Sequence, residues 1–86
     1  MSDKYIVPLL PPGNWVPNDF KTGDRIVFRY GGPCTVISTN GMHYDGLKLK
    51  VEWDNESSQD AWPNMDWVGL LPADPDMEWV VEGDEQ

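Results

Sequence analysis

The stretch GDRIVFRYGGPCTVIST, residues 23–39, followed by LKLKVEWDN at 47–55, decides the fold of this chain. In its first and last segments apolar side chains occupy every second position: Ile26, Phe28 and Tyr30, then Leu47, Leu49, Val51 and Trp53. A half-buried β-strand requires this period of two, because successive side chains point to opposite faces of the sheet. The stretch therefore predicts three strands of an antiparallel meander, over about 25–30, 34–39 and 47–53.

Turn residues separate these strands. Gly-Gly-Pro at 31–33 breaks the chain between the first strand and the second. Asn-Gly at 40–41 and Asp-Gly at 45–46 both favour positive φ, which suits the tip of a hairpin. They predict that the second and third strands are joined as a hairpin.

The segments after the meander are less regular. Residues 56–60 are polar and predict a loop, whereas the alternation over 77–82 predicts the last strand. The segment 61–71 is apolar but is broken by a proline and a glycine. It predicts a short strand with a following turn, and a helical turn at 64–68 is the alternative.

Residues 1–22 contain four prolines, at positions 8, 11, 12 and 17, which forbid a regular helix or a central strand. The segment is also rich in apolar side chains, Trp15 and Phe20 among them, that are costly to leave in water. We expect an ordered, extended arm that lies over one mouth or face of the sheet. The alternative is that Pro-Leu-Leu-Pro-Pro at 8–12 is a recognition motif for a proline-binding groove.

The composition is that of one small folded domain. With 86 residues, five of them tryptophan, the chain relies on large rings to bury enough apolar surface, and eight prolines with eight glycines favour turns over helices. The single cysteine, Cys34, excludes an internal disulfide and favours a reducing compartment. Because no signal peptide and no apolar run of about 18 residues is found, we expect a cytoplasmic protein with no membrane partner.

Charge is divided unevenly along the chain. Residues 1–50 contain all six basic residues and four acidic ones, whereas residues 51–86 contain eleven acidic residues and no basic one. The first part thus has a net charge of +2 and the second of −11, which together give the −9 of the whole chain. Nucleic-acid backbones require positive charge, so direct nucleic-acid binding is not expected, and a basic protein surface is the partner that this distribution favours.

GDRIVF at 23–28, the glycine-marked turn into TVI at 35–37, LKVEWDN at 49–55 and a short final strand together resemble small SH3-like β-barrels of the KOW and Tudor kind. They are also similar to bacterial and phage domains that share the rhythm G-D-R-V … V-x-W-D-N. The resemblance covers 23–82 and implies an all-β fold, a small SH3-like five-stranded antiparallel barrel. Such barrels bind nucleic acids, peptides or proteins, so the resemblance does not define a function.

The resemblance divides the chain into three parts. Residues 1–22 are expected to be the Pro-rich N-terminal arm packed on the barrel, 23–82 the barrel itself, and 83–86 an acidic C-terminal tail.

No catalytic constellation is recognisable. Cys34 and His43 are the only residues of their types, and no matched nucleophile and base accompany them. Two acidic groups could supply oxygen ligands but lack the glycine turn of an EF-hand loop: Asp54, Glu56 and Asp60, and Asp74 with Asp76. We therefore expect a protein that is not an enzyme and has no metal, cofactor or small-molecule ligand.

The acidic part of the chain also contains tryptophans that are not clearly in a core position. Tryptophans dominate interface hot spots, and acids without compensating cations repel one another unless a partner uses them. We therefore predict a face that binds a basic protein surface, formed by Asp60, Trp62, Asp66, Trp67, Asp74, Asp76 and Glu78. Trp53 and Trp79, in the apolar phase of their strands, are assigned to the core.

Three functional hypotheses follow. The first is a phage-encoded inhibitor whose acidic face docks on a host nucleic-acid enzyme and mimics DNA with carboxylates. The second, implied by the Tudor resemblance, is a reader of basic or methylated peptides with an aromatic cage drawn from Tyr30, Tyr44, Trp53, Trp62, Trp67 and Trp79. The third is a structural or assembly module whose contact element is the arm.

Overall fold

Short β-strands make up nearly all regular structure in the computed structural model, which describes residues 4–74 and 76–83 and only the backbone of Ser58. The strands are β1 (Tyr5–Val7), β2 (Arg25–Phe28), β3 (Gly32–His43), β4 (Gly46–Trp53), β5 (Ser58–Ala61), β6 (Val68–Leu70) and β7 (Trp79–Val81). Two single 3-10 turns, Pro17–Asp19 and Pro63–Met65, complete the described elements. The prediction of an all-β protein is confirmed.

The main sheet has five antiparallel strands in the order β5-β4-β3-β2-β6. Its best-predicted strand is β4, where Leu47, Leu49 and Val51 are completely buried. The predicted hairpin joins β3 to β4, but its turn is only 44–45: Asn40 and Gly41, predicted in the hairpin loop, lie within β3, and the pairing continues out to His43 and Gly46. Two register shifts interrupt this hairpin, so the twelve-residue strand β3 can bend around the core.

The end of the first predicted strand was misplaced. β2 stops at Phe28, and the chain turns at 29–31, whereas Gly32 and Pro33 of the predicted break already belong to β3. Tyr30 is therefore not on the inward face of a strand: it is 82% exposed. Tyr30 continues the alternation of the buried residues Ile26 and Phe28, and alternation alone cannot show that the strand ends before it.

Two strand assignments are also corrected. Residues 58–60, predicted as part of a polar loop, form with Ala61 the edge strand β5, which pairs with β4 from Leu49 to Glu52. The predicted last strand exists as β7, but it does not join the main sheet. It pairs in parallel with β1, Tyr5 opposite Trp79. The sequence of β5 gives little indication of a strand, because a polar edge strand is held by backbone hydrogen bonds to one neighbour only.

Segment 61–71 contains a strand and a turn, but in the reverse of the predicted order. A 3-10 turn occupies Pro63–Met65, slightly earlier than the helical alternative, and the short strand β6 follows at Val68–Leu70. The six residues 62–67 thus carry the chain from one edge of the main sheet to the other.

The N-terminal segment covers the outer face of the main sheet. Val7 is completely buried, and it lies so close to Gly69 that a Cβ at position 69 would clash with a Val7 methyl group. Leu10 exchanges two backbone hydrogen bonds with Val68, at 2.8 and 3.0 Å. Val27, which pairs with Gly69, is buried on this side of the sheet.

The opposite face of the sheet holds the main core, formed by Phe20, Ile26, Phe28, Cys34, Val36, Leu47, Leu49, Val51, Ala61 and Val68. Trp15 and Trp53 pack against its margin. Asn64 ties the arm to the 3-10 turn, because its side chain accepts a hydrogen bond from the Trp15 N–H and donates one to the Trp15 carbonyl. Strand β2 is thus covered on both faces.

Parts of three earlier assignments lie outside the described residues: positions 1–3 of the arm, Pro75, and 84–86 of the acidic tail. In the ranges that are described, the longest helical element is a single 3-10 turn, and none has the length or hydropathy needed to cross a bilayer.

Candidate functional site

An open groove of about 310 Å³ combines aromatic rings with carboxylates. We call it the aromatic groove; it is lined by Phe28, Tyr30, Trp53, Asp60, Ala61, Trp62, Met65 and Asp66. Phe28 and Ala61 are buried core residues and form its apolar floor. The other side chains come from the turn after β2, the end of β4, β5 itself and the segment that leaves it.

Trp53 is held from two sides. Its ring packs on Phe28 with centroids 5.5 Å apart and planes tilted by 59°. On the other side it lies against the backbone of Gly31, where a Cβ would come within 2.7 Å of Cη2 of the indole. A glycine at position 31 therefore allows the close approach that fixes one ring of the groove.

Trp62 already contacts a cation of the same chain. The Lys48 ammonium lies 5.8 Å from the centroid of a Trp62 ring and 3.1 Å from Oδ2 of Asp60. The His43 ring meets Trp62 edge-on, with centroids 6.1 Å apart. This wall of the groove thus combines a π face with a carboxylate, the chemistry that attracts an ammonium or guanidinium group.

Asp66 is oriented by the backbone. Its Oδ1 accepts a 2.6 Å hydrogen bond from the Trp67 N–H, and its Oδ2 lies 3.5 Å from the Tyr30 nitrogen. The Arg29 N–H donates to the Trp67 carbonyl at 3.0 Å, which joins the same two segments. The half-buried carboxylate is therefore fixed where Tyr30 and the chain after the 3-10 turn meet.

Trp67 lies outside the aromatic groove. The Arg29 guanidinium is 5.8 Å from its ring and 5.9 Å from the ring of Tyr30. A cation from the first part of the chain thus covers a ring that was predicted to anchor a partner.

Asp74, Asp76 and Glu78 form a separate group before β7. The Asp76 N–H donates to Oδ1 of Asp74 at 3.0 Å, so the Asp74 side chain organises the turn. Asp74 also lines a second cavity, with Arg25 and Trp79. The predicted face is therefore divided: Asp60, Trp62 and Asp66 share the groove, and the other four predicted residues do not line it.

Folding also redistributes charge. The acidic second part was expected to lack compensating cations, but Lys48 reaches Asp60, and Arg25 makes a bidentate pair with Asp54 at 2.7 and 2.9 Å. The hydrogen bond from Arg25 lowers the pKa of Asp54 and raises that of Arg25 itself. Strand pairing thus places two cations of the first part of the chain against acids of the second part, which the order of charges along the sequence does not show.

Three of the six rings considered for an aromatic cage converge in the groove: Tyr30, Trp53 and Trp62. Tyr44 is fully exposed in the hairpin turn, and Trp79 lines cavities elsewhere. The predicted binding face does not include Tyr30 and Trp53. Both occupy the alternating apolar positions of a predicted strand, which indicate inward-facing side chains. Their shared signal is position: each is the last ring before a turn rich in Gly, Asp or Asn.

Cys34 and His43 have unrelated environments. Cys34 is completely buried, and this burial raises the pKa of its thiol to about 12, so it is protonated at neutral pH. His43 Nε2 lies within hydrogen-bonding distance, 2.8 Å, of the Asn40 carbonyl. Over 4–74 and 76–83, no three His, Cys, Asp or Glu residues are grouped to hold a metal ion.

Comparisons with protein-family models, with curated proteins and with solved structures find no match for this chain. What the structure establishes is the class, an all-β protein with a five-stranded antiparallel sheet. Its function has to be inferred from the residues of the groove.

Proposed function

We propose that the protein is a non-catalytic interaction module that binds a basic protein surface through the aromatic groove. The observation that carries the proposal is the convergence of Tyr30, Trp53 and Trp62 with two carboxylates, Asp60 and Asp66, in one open groove. An exposed site of this composition favours a cationic side chain over an anion or a neutral apolar ligand.

Both kinds of group in the groove contribute to such binding. A cation over an aromatic face gains about 0.5–1 kcal/mol at an exposed site, and an exposed ion pair about 0.2–1 kcal/mol. The Lys48 contacts with Trp62 and Asp60 are an intramolecular instance of the same recognition. Since each contact is weak, useful affinity requires several cations or a large contact area.

The inhibitor form of this function is part of the proposal. If the basic surface normally holds DNA or RNA, a bound groove would exclude the nucleic acid, as expected of a phage-encoded antagonist in the cytoplasm of its host. Mimicry by a continuous row of carboxylates has less support, since Asp60 is paired with Lys48 and Asp74 lies at a separate cavity.

A reader of methylated lysine is the second candidate. The specific feature in its favour is the set of three rings, because a methylated ammonium is larger and less hydrated and depends more on π faces than on carboxylates. Binding of trimethyl-lysine and unmodified lysine peptides separates the two: a reader prefers the methylated form, and a docking module does not.

We also propose that the main sheet curls into a small SH3-like barrel in which the outer edge of β5 has no strand partner among the described residues. Phe28 of β2 and Ala61 of β5 both line the groove, although β3 and β4 separate their strands in the sheet. In a flat sheet strands β2 and β5 would be about 14 Å apart, so a shared lining favours strong curvature. Nuclear Overhauser contacts between the two side chains would support closure, and their absence would favour an open sheet.

The test of the proposed function compares groove variants with a variant outside the groove. Lysine- and arginine-rich peptides are titrated into the wild type, Trp62→Ala, Asp66→Asn and Asp76→Asn, with tryptophan fluorescence as the readout. We expect Trp62→Ala and Asp66→Asn to weaken binding about two- to fivefold and Asp76→Asn to have little effect. Equal losses in all three variants would indicate non-specific charge attraction and contradict the proposal.

A further inference from the structure

The aromatic groove does not end at Trp53. A second depression of about 290 Å³ lies beyond it, and Tyr30 and Trp53 line both. We call this second space the amide compartment; its polar lining consists of Asn55, Glu56 and Gln59. The two rings therefore form a partition between an aromatic space and a polar one.

Strand β5 runs beside both spaces. Gln59 lines the amide compartment, and Ala61, two residues further on, lines the aromatic groove. β5 is the terminal strand of the main sheet, so within the described residues no strand pairs with its outer edge. An unpaired edge offers backbone donors and acceptors to an added strand.

Carboxylates line both spaces along this path. Glu56 lines the amide compartment, and Asp60 and Asp66 line the aromatic groove. Asp60 is already paired with Lys48, so a partner's cation competes with that pair. The Gln59 amide donates to Oε2 of Glu56 at 2.9 Å, which ties that carboxylate to β5. Each space therefore has its own acceptor for a cation.

We propose that the partner segment is an extended peptide that lies along β5 and places one cationic side chain in each space, on either side of the Tyr30–Trp53 partition. This rests on the proposed function and adds a spacing to it. Same-face side chains of a strand are roughly 6.8 Å apart. Residues 59 and 61, two positions apart on β5, line one space each. The recognised pattern is thus two basic residues with one residue between them.

The experiment uses short capped peptides that differ only in the spacing of two lysines: adjacent, separated by one residue, or separated by three. A peptide with one lysine and an added distant lysine beyond a glycine spacer keeps the same net charge. Affinity is measured for the wild type, Glu56→Gln and Trp62→Ala. Asp45→Asn, which removes an exposed acid of the hairpin turn, is the matched control for net charge.

We expect the peptide with one intervening residue to bind about tenfold more tightly than the others, since the second site adds one ion pair and one ring contact. Glu56→Gln should remove this preference without changing the affinity of the spacer peptide. Trp62→Ala should weaken every peptide, and Asp45→Asn none. N-methylation of the peptide backbone, one residue at a time, should weaken binding at alternate positions, as expected of strand addition.

Two outcomes overturn the inference in distinguishable ways. If all spacings bind equally and Trp62→Ala still weakens them, the groove binds cations but not as an extended pair, and the proposed function stands without the spacing. If no peptide binds, or if Trp62→Ala has no effect on any of them, the proposed function fails together with the inference.

Discussion

The indole of Trp53 lies on the backbone of Gly31, with Cη2 only 2.7 Å from the position that a Cβ at residue 31 would occupy. One residue belongs to the turn after β2 and the other to the last position of β4. This contact fixes the Trp53 ring, which separates the aromatic groove from the amide compartment. The smallest possible side chain at position 31 would require the ring to move.

Gly31→Ala should therefore disturb the groove and the core margin together. We expect a loss of about 1–3 kcal/mol in the free energy of unfolding, the usual cost of forcing a group into packed space, and a shift in tryptophan emission. Chemical denaturation and fluorescence measure both. Gly13→Ala, whose Cβ would meet only the Pro11 carbonyl at 3.5 Å, is the control and should be nearly silent.

Lys48→Gln should tighten the binding of cationic peptides. The ammonium of Lys48 occupies the space between Asp60 and Trp62, so its removal frees both groups for a partner. An increase in affinity of about three- to fivefold is expected, corresponding to about 1 kcal/mol. Lys50→Gln removes the same charge on the neighbouring exposed position of β4 and should have a smaller effect; equal gains would mean that only net charge matters.

Asp54→Asn should lower the free energy of unfolding at pH 7 by about 0.5–1 kcal/mol, because the pair with Arg25 is partly exposed. Arg25 holds the pKa of Asp54 below its ordinary value of 3.8 in the folded protein. The stabilisation is thus present above pH 3.8 and is lost as the pH falls below it and Asp54 is protonated.

The measurement for this pair is urea unfolding of wild type and Asp54→Asn from pH 7 to pH 2. The difference between the two proteins should approach zero at the acid end. Asp45→Asn, in the hairpin turn, should show no comparable difference at any pH. A difference that persists at low pH would mean that the carboxylate acts through packing and not through its charge.

Cys34 should resist thiol reagents while the protein is folded. It is completely buried, so a reagent cannot reach the sulfur, and desolvation raises the pKa of the thiol to about 12, so it is not a thiolate at pH 8. Labelling by iodoacetamide should be complete in urea and very slow without it. Rapid labelling in native buffer would contradict this and would mean that the core around β3 opens frequently.

Val7→Ala should destabilise the whole protein by about 1.5–3 kcal/mol, since Val7 is fully buried against the outer face of the sheet at Gly69. Ile6→Ala, next to it on β1 and 42% exposed, should cost much less. Removal of the arm is therefore an unsuitable test for an assembly function. It would delete Val7 and the Trp15–Asn64 hydrogen bonds, so lost binding could reflect lost folding.

The regular part of the fold could be predicted because burial is periodic there. Along β4 the alternation of Leu47, Leu49 and Val51 with charged residues gave the strand, its inward face and its place in a hairpin. β5 was missed for the opposite reason: Ser58–Ala61 has one apolar residue, and its order depends on hydrogen bonds to β4. The partner of β7 could not be predicted, because alternation identifies a strand and not its neighbour.

The candidate site was predicted only in part. Trp62, Asp60 and Asp66 were selected from local composition, and the fold brings them together. Tyr30 and Trp53 reach the same groove from distant strands, and the position of Lys48 depends on strand pairing. These are long-range contacts, so no window along the sequence contains them.

The parallel pairing of β1 with β7 has a mechanical consequence. The Tyr5 N–H bonds to the Glu78 carbonyl and the Glu82 N–H bonds to the Val7 carbonyl, so the two strands run side by side in the same direction. A pull on residue 4 and on residue 83 acts at opposite ends of this pair and stretches all of its hydrogen bonds at once. The pair would then separate by β1 sliding past β7, with all of these hydrogen bonds breaking together. Tension between the two ends is therefore resisted first by the β1–β7 pair, before it reaches the groove.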